Sequence, residues 1–273
     1  MSPPFDNRPI GLFDSGIGGL TVFKSLLYAL PNESFIYLGD TARLPYGSKS
    51  PQTIERYLHQ NIDFLIRRKV KAIVVACNSA STVLLGTARD FGVPVYNVIE
   101  PGARRALEAS AGLKIGVLGT KATIAAKSYA RVIQALSPEA HVFQQACPLL
   151  VPLVEEGWET DPITNLIVYR YVSPLIEAGV DTLILGCTHY PALRANIERA
   201  TRGRIALVDA SAAIAELIHS DLALGRLQPS ERRLSLEIMT TDISESFCDV
   251  AVRLMHPHIL PPLIEVDISP LAE

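Results

Sequence analysis

The chain carries the stretch Ile73-Val-Val-Ala-Cys-Asn-Ser79 and, in its second half, the matching stretch Leu183-Ile-Leu-Gly-Cys-Thr-His189. In each stretch a short aliphatic run ends at a cysteine that small polar residues follow. Aliphatic runs of this length are typical of strands buried on both faces of a parallel sheet. We therefore predict that both thiols lie at the carboxyl ends of strands, where open α/β sheets build their ligand sites. One thiol from each half indicates a paired site around one small substrate.

Strand-like runs alternate with amphipathic stretches along the chain, which is the pattern of parallel sheets with helical crossovers. The runs lie at 9–13, 35–38, 72–76, 95–99, 115–118, 140–144, 183–185 and 205–208. The first run also resembles the fifth, Ile10-Gly-Leu-Phe-Asp-Ser15 against Ile115-Gly-Val-Leu-Gly-Thr120. We predict an α/β fold of two related, doubly wound parallel-sheet domains with the active site in the crevice between them. The first domain takes residues 1–97 plus 209–273 and is therefore discontinuous, and the second takes residues 98–208.

Composition limits the function classes. With 273 residues, 48% of them hydrophobic, the chain can fill a sizeable core, and 25 basic against 28 acidic residues give a net charge of −3. Interspersed charges of this kind do not form the basic patch that binds nucleic acid. No apolar stretch approaches the roughly 20 residues that span a bilayer, and no secretion signal is visible, so we expect a cytoplasmic protein without membrane contact. Its four cysteines are then free thiols.

A glycine-rich turn, Asp14-Ser-Gly-Ile-Gly-Gly19, follows the first predicted strand and precedes a helix predicted over 20–30. Glycines allow close backbone approach, and a helix N-terminus offers free N–H groups to an anion. The turn lacks the Gly-Lys-Ser/Thr of a Walker loop and the spacing of a dinucleotide fingerprint, which disfavours nucleotide binding. A carboxylate would suit the same amides. The alternative is a tight turn with Asp14 as a helix cap.

Two other stretches contain polar residues that could reach a ligand. The polar loop at 38–49 could present the Tyr46 hydroxyl and the Gly47 amide, although a plain surface loop explains it equally well. In the stretch 147–157, prolines argue against a regular helix before Pro152, and acids follow at Glu155 and Glu156. One of these acids could approach a thiol as a proton-relay partner, or both could be solvated.

The two cysteine turns carry the strongest chemical signal. A free thiol has a pKa near ~8.5, and a neighbouring histidine or a helix N-terminus lowers it, so His189 is the obvious modulator of Cys187. A single cysteine is commonly a small buried hydrophobic residue, but two in equivalent turns of related units favour chemistry. Without Cys-x-x-Cys or clustered histidines, zinc and disulfide redox chemistry are disfavoured. Cys147 and Cys248 lack such settings and are expected to be structural.

Taken together, these segments resemble bacterial glutamate racemases of the aspartate/glutamate racemase superfamily. The resemblance covers roughly residues 9–224. It rests on Asp14-Ser-Gly-Ile-Gly-Gly19, Leu38-Gly-Asp-Thr-Ala-Arg-Leu-Pro-Tyr-Gly47, Ala76-Cys-Asn-Ser79, Pro152-Leu-Val-Glu-Glu-Gly157 and Gly186-Cys-Thr-His-Tyr-Pro191, in that order. Ser79 stands where the family often has threonine, which keeps the hydroxyl.

The resemblance implies racemisation of glutamate without cofactor or metal, by two bases on opposite faces of the α-carbon. By family analogy Cys77 deprotonates D-glutamate and Cys187 deprotonates L-glutamate, with Asp14 assisting Cys77, and Glu155 and His189 assisting Cys187. The substrate-binding residues it implies are Asp14, Ser15, Tyr46, Gly47, Asn78, Ser79, Thr120, Thr188 and His189. It further implies a homodimer and a product, D-glutamate, that supplies peptidoglycan synthesis in the cytoplasm.

The sequence leaves three alternatives open. The fold could serve another substrate, as in aspartate racemase, which would need the distal carboxylate site moved inward. The chain could be a binding protein on an inactivated racemase scaffold, which retention of both cysteines argues against. A cysteine-nucleophile hydrolase would need one thiol and one histidine base, and it would leave the second cysteine turn unexplained.

Overall fold

The computed structural model describes residues 5–269, without the side chains of residues 245 and 246. Its strands are β1 Ile10–Asp14, β2 Phe35–Gly39, β3 Ala72–Val75, β4 Val95–Asn97, β5 Lys114–Gly119, β6 His141–Ala146, β7 Thr182–Gly186, β8 Ala206–Asp209, β9 Leu236–Thr240 and β10 Leu263–Glu265. Its helices are α1 Leu20–Ala29, α2 Pro51–Arg67, α3 Asn78–Leu84, α4 Ile99–Ala109, α5 Lys121–Ala126, α6 Ser128–Leu136, α7 Leu150–Glu155, α8 Pro162–Glu177, α9 Arg194–Thr201, α10 Ala210–Ala223 and α11 Glu245–Met255. Short 3-10 turns occupy Thr41–Arg43, Tyr46–Ser48 and Tyr190–Leu193.

The strands form two parallel sheets that repeat one topology. The first sheet has the order β10-β9-β2-β1-β3-β4 and the second the order β6-β5-β7-β8. The order β2-β1-β3-β4 therefore recurs in the second sheet, with β1 matching β5 and β3 matching β7. Every strand pairing in the two sheets is parallel. The predicted α/β class with two related parallel sheets is confirmed.

Each sheet is buried on both faces, which explains the near-continuous aliphatic strands. On the first sheet, Leu12 and Val74 face α1, α10 and α11, while Phe13 and Val75 face α2. The second sheet packs against α7, α8 and α9 on one face and against α4 and α6 on the other. The segment after α10 adds β9 beside β2, and α11 packs with α1. The domain boundaries drawn from the sequence remain a prediction.

Two local expectations were wrong in detail. The run 95–99 is not one strand: β4 ends at Asn97, whose side-chain oxygen accepts from the N–H groups of Ile99 and Glu100, so the chain turns directly into α4. Helix α7 begins at Leu150, two residues before Pro152. Proline is tolerated there because N–H groups in the first turn of a helix have no intrahelical partner.

Within residues 5–269, no helix has both the length and the apolar character that crossing a membrane requires.

Candidate active site

The two sheets bring the carboxyl ends of β1, β3, β5 and β7 to one narrow cavity of about 30 Å³. The predicted site residues that line it are Ser15, Tyr46, Gly47, Cys77, Asn78, Ser79, Thr120, Glu155, Cys187, Thr188 and His189. Both thiols are buried, Cys77 with 5% and Cys187 with 7% of its surface exposed. The predicted residues therefore converge from both halves of the chain, although the chemical role of each remains a prediction.

Cys77 follows β3 and is the N-cap residue of α3. Its Sγ donates a hydrogen bond to Ser15 Oγ at 3.5 Å. Burial, together with the nearby carboxylate of Asp14, raises the pKa of the Cys77 thiol to about 12. Cys77 is therefore protonated at neutral pH when the cavity holds no substrate.

Cys187 follows β7 and belongs to a chain of polar contacts. Its Sγ lies 3.9 Å from His189 Nδ1, and His189 Nε2 lies 3.1 Å from Glu155 Oε1. Burial lowers the pKa of His189, but the contacts with Cys187 and Glu155 outweigh it and raise that pKa to about 10. His189 is thus an imidazolium at neutral pH, and its positive charge lies beside Cys187 Sγ. The two sulfur atoms therefore have different polar partners, a hydroxyl for Cys77 and an imidazolium for Cys187.

Asp14 lies behind the cavity wall rather than on its surface, and it is fully buried. Its Oδ2 accepts from the N–H groups of Gly16 at 3.2 Å and Gly19 at 3.0 Å, and its Oδ1 lies 3.4 Å from Thr188 Oγ1, which donates to it. Burial raises the pKa of Asp14, while the charge of His189 and the backbone N–H groups oppose that shift. Asp14 thus braces the glycine turn and contacts the second half of the chain. The predicted Asp14 cap is found only in part, because both N–H groups that it accepts from, those of Gly16 and Gly19, precede α1.

Two glycines let the halves meet closely. A Cβ on Gly18 would lie 2.4 Å from Thr188 Oγ1 and 2.5 Å from His189 Nδ1. A Cβ on Gly47 would lie 2.6 Å from the Cβ of Thr120. Gly18 of the glycine-rich turn and Gly47 of the following loop therefore allow close packing beside the cavity. The binding of a carboxylate by the amides of the turn stays a prediction.

Hydroxyl and amide groups link the halves on the side of Cys77. Ser79 Oγ lies 2.9 Å from Thr120 Oγ1, and Tyr129 donates its hydroxyl to Asn78 Oδ1 at 2.7 Å. Tyr129 was not among the predicted residues. It lies inside a helix whose apolar pattern indicates only core packing, and its pairing with Asn78 spans 51 positions.

The Tyr46 hydroxyl is already paired. It hydrogen-bonds to a carboxylate oxygen of Asp40 and accepts from Asn61 Nδ2, which lies 3.0 Å away. Its predicted contact with a ligand stays a prediction, since the hydroxyl would have to leave this network. Three apolar residues of the cavity wall, Leu44, Pro45 and Val151, were not predicted as site residues because apolar character by itself indicates core.

Cys147 and Glu156 lie outside the cavity, whereas Glu155 lines it. Cys147 is fully buried, and its Sγ donates to the carbonyl oxygen of Gln145 at 3.4 Å, away from the cavity. Of the two acids in the 147–157 stretch, Glu155 pairs with His189 and Glu156 does not line the cavity. In the described part of the chain, no cluster of three or more His, Cys, Asp or Glu side chains is placed to hold a metal ion.

The geometry has counterparts in known proteins. The model of the Asp/Glu/Hydantoin racemase family matches residues 10–218. The chain is 44% identical over 250 residues to glutamate racemase of Geobacter metallireducens, and the alignment covers 91% of this chain and 93% of that protein. It is 43% identical to glutamate racemase of Syntrophus aciditrophicus, again over 250 residues that cover 91% of this chain and 93% of that protein. The structure is similar to the crystal structure of glutamate racemase from Francisella tularensis in complex with D-glutamate, with a TM-score of 0.89, 36% identity and coverage of 96% and 98% of the two chains.

Proposed function

The chain belongs to the Asp/Glu/Hydantoin racemase family, and from this premise we propose that it interconverts L- and D-glutamate with Cys77 and Cys187 as its two bases. Its activity is that of an amino-acid racemase, an isomerase, since relatives with 43–45% identity over most of their length are glutamate racemases. One observation carries the two-base mechanism: both cysteines line the same cavity, and they have different polar partners, Ser15 for Cys77 and His189 for Cys187.

The raised pKa of Cys77 suits its thiol to the role of proton donor in the direction that starts from L-glutamate. A thiolate on Cys187 takes the α-proton from one face, and the thiol of Cys77 delivers its proton to the other face. The products are D-glutamate, a protonated Cys187 and a thiolate on Cys77. That state accepts D-glutamate for the reverse reaction, so each turnover prepares the site for the opposite enantiomer.

The α-proton of an amino acid is very weakly acidic, so the transition state must be stabilised by placement and by fixed charges. The cavity, about 30 Å³ in volume, is smaller than a glutamate molecule, so the two halves part to admit the substrate and close around it to exclude bulk water. Ser15, Asn78, Ser79, Thr120 and Thr188 supply short hydroxyl and amide groups for the carboxylates and the ammonium of glutamate. We include Asp14, Tyr46, Gly47 and His189 in this binding set, as the family resemblance implies.

Loss of optical activity tests the proposal. Purified protein with reductant, and with no added cofactor, is incubated separately with L-glutamate and D-glutamate, and circular dichroism is followed. We expect both signals to decay to zero, and Cys77→Ala and Cys187→Ala each to abolish the decay. Cys248→Ala is the matched control, because that cysteine does not line the cavity, and it should keep full activity.

The same experiment separates the rival functions. Decay with aspartate but not with glutamate would show that the enzyme racemises aspartate instead. A hydrolase would survive loss of one of the two cysteines. Binding of glutamate without decay, unchanged in the variant lacking both thiols, would favour a binding protein.

The biological setting follows from the product. We propose that D-glutamate made here supplies peptidoglycan synthesis in the cytoplasm, and that the enzyme works as a homodimer. A depletion strain should stop growing unless D-glutamate is added. Light scattering of the purified protein should give the mass of two chains, and a mass of one chain would refute the dimer.

A further inference from the structure

A guanidinium from the C-terminal segment reaches the half of the molecule that holds Cys187. Arg253 lies in the last turn of α11, which packs with α1 and α10 on the first sheet. Its Nη2 donates to the carbonyl oxygen of Val154 at 3.1 Å and lies 3.7 Å from Glu159 Oε1. Val154 is buried in the core of the second sheet. Arg253 therefore joins the two packed units at one carbonyl oxygen.

The receiving backbone is shaped for this side chain. Gly157 has φ +72°, and a Cβ there would lie 2.8 Å from Arg253 Nη1. A side chain at this position would be strained by the backbone and would also exclude the guanidinium. The turn after α7 thus leaves room for Arg253.

The contact lies one residue from the Glu155 carboxylate. Helix α7 has only six residues, and Val154 is its penultimate residue. The Val154 carbonyl oxygen also accepts from the N–H of Gly157 at 3.1 Å. A short helix is marginally stable on its own, and a cation at its last carbonyls stabilises it. Glu155 follows at once, and its carboxylate meets His189 Nε2.

We propose that Arg253 is a positioning residue that holds the end of α7 so that Glu155 stays paired with His189 beside Cys187. This inference rests on the proposed function and deepens it. It also gives the segment after α10 a role in the reaction, since through this contact α11 reaches the helix that carries Glu155. The ion pair with Glu159 is half-exposed and contributes little, so the carbonyl contact is the operative one.

The electrostatic surroundings of His189 make the effect observable. The charged or titratable groups that act on it are Cys187 and Glu155 directly and Asp14 from the first half. Arg253 does not contact His189, so it acts on the imidazole only through the placement of Glu155. Loss of that placement weakens a contact that keeps His189 protonated.

The test compares variants by NMR titration of the His189 imidazole in labelled protein and by racemase kinetics. Arg253→Ala should lower the titration midpoint of His189 and reduce kcat/KM about tenfold in both directions, because enantiomers have an equilibrium constant of one and a group misplaced near the reacting centre slows the reaction. Arg253→Lys should keep the His189 midpoint at the wild-type value and kcat/KM within about twofold of the wild type. Arg253→Met retains the packed stem and should behave like the alanine variant, which guards against a folding defect in the latter.

Matched controls isolate the carbonyl contact. Glu159→Gln removes the ion pair and should leave the His189 titration unchanged. Arg105→Ala removes an exposed arginine from α4 that pairs with Glu108 at the surface, and it should change neither readout. In a Glu155→Gln background, Arg253→Ala should have no additional effect on His189.

Several results would overturn the inference: an unchanged His189 midpoint in Arg253→Ala and Arg253→Met, a shift of the same size in Glu159→Gln, or an undiminished effect in the Glu155→Gln background. Failure of the proposed function is separate. If the wild type does not racemise glutamate but its His189 midpoint still depends on Arg253, the positioning role stands and the substrate assignment falls.

Discussion

Gly18→Ala should lower racemase activity without lowering the stability of the fold, because the added methyl group would keep the cavity from closing. The added methyl would lie 2.4 Å from Thr188 Oγ1 and 2.5 Å from His189 Nδ1, whereas ordinary contacts begin near 3.4 Å. The two halves must therefore part by about 1 Å at this point. Because the φ of Gly18 lies outside the left-handed region, alanine does not strain the local backbone.

The size of the effect follows from that displacement. A misplacement of about 1 Å at an active site costs on the order of 10²-fold in rate. This corresponds to about 2.7 kcal/mol of transition-state stabilisation. Stability should change little, because the clash is relieved by opening the crevice and leaves the core of each half intact.

The assay is kcat/KM for both enantiomers by circular dichroism, with thermal unfolding of the same preparations. The matched control is Gly86→Ala, whose Cβ would meet only the carbonyl oxygen of Val83 at 3.5 Å and should leave activity and unfolding unchanged. Wild-type kcat/KM in Gly18→Ala would refute the reasoning. A large fall in the unfolding temperature would also refute it, since it would place the clash within a folded core.

Three further outcomes are expected. Tyr129→Phe should raise KM roughly tenfold with little change in kcat, because the carbonyl of Asn78 loses its donor at 2.7 Å and binds substrate less well, which steady-state kinetics would show. The pKa of His189, raised from an ordinary value near 6.5 to about 10, gives a contribution to stability that is complete below pH 6.5 and is lost as the pH rises through 10. Thermal unfolding from pH 6 to 10.5 should show this loss, and the loss should be smaller in Glu155→Gln, because the contact with Cys187 remains. Lys71→Met should lower the free energy of unfolding by about 3–5 kcal/mol in urea titrations, because it leaves Glu33 buried without its ion-pair partner, and adding Glu33→Leu should restore most of that loss.

Much of the fold could be predicted because its signals are local in the sequence. Aliphatic runs without alternation gave the parallel strands, and the repeated run ending in cysteine gave the internal repeat. The ends of β3 and β7 were located closely, because an apolar run that stops at small polar residues marks where a buried strand leaves the sheet. The run at 95–99 was misassigned because its last residues are also apolar, and only the cap by Asn97 shows where the helix begins.

The site was predictable as a set of residues but not as a set of contacts. Strand-end chemistry and motif order placed Cys77, Cys187 and their neighbours on one cavity. Residue types alone left Glu155 and Glu156 equivalent, since adjacent acids differ only in the direction that the end of α7 gives them, and only the family resemblance favoured Glu155. The pairing of the Tyr46 hydroxyl with Asp40 was equally hidden, because it depends on how the loop folds back.

The sequence by itself therefore determined the α/β class, the repeat, the two thiols and the motif set, because each is written in neighbouring residues. Only the tertiary structure decided that Asp14 meets Thr188, that Glu155 meets His189 and that Arg253 reaches Val154 from α11. These contacts join residues far apart in the chain, and their formation depends on the packing of two separate sheets, which no local pattern records.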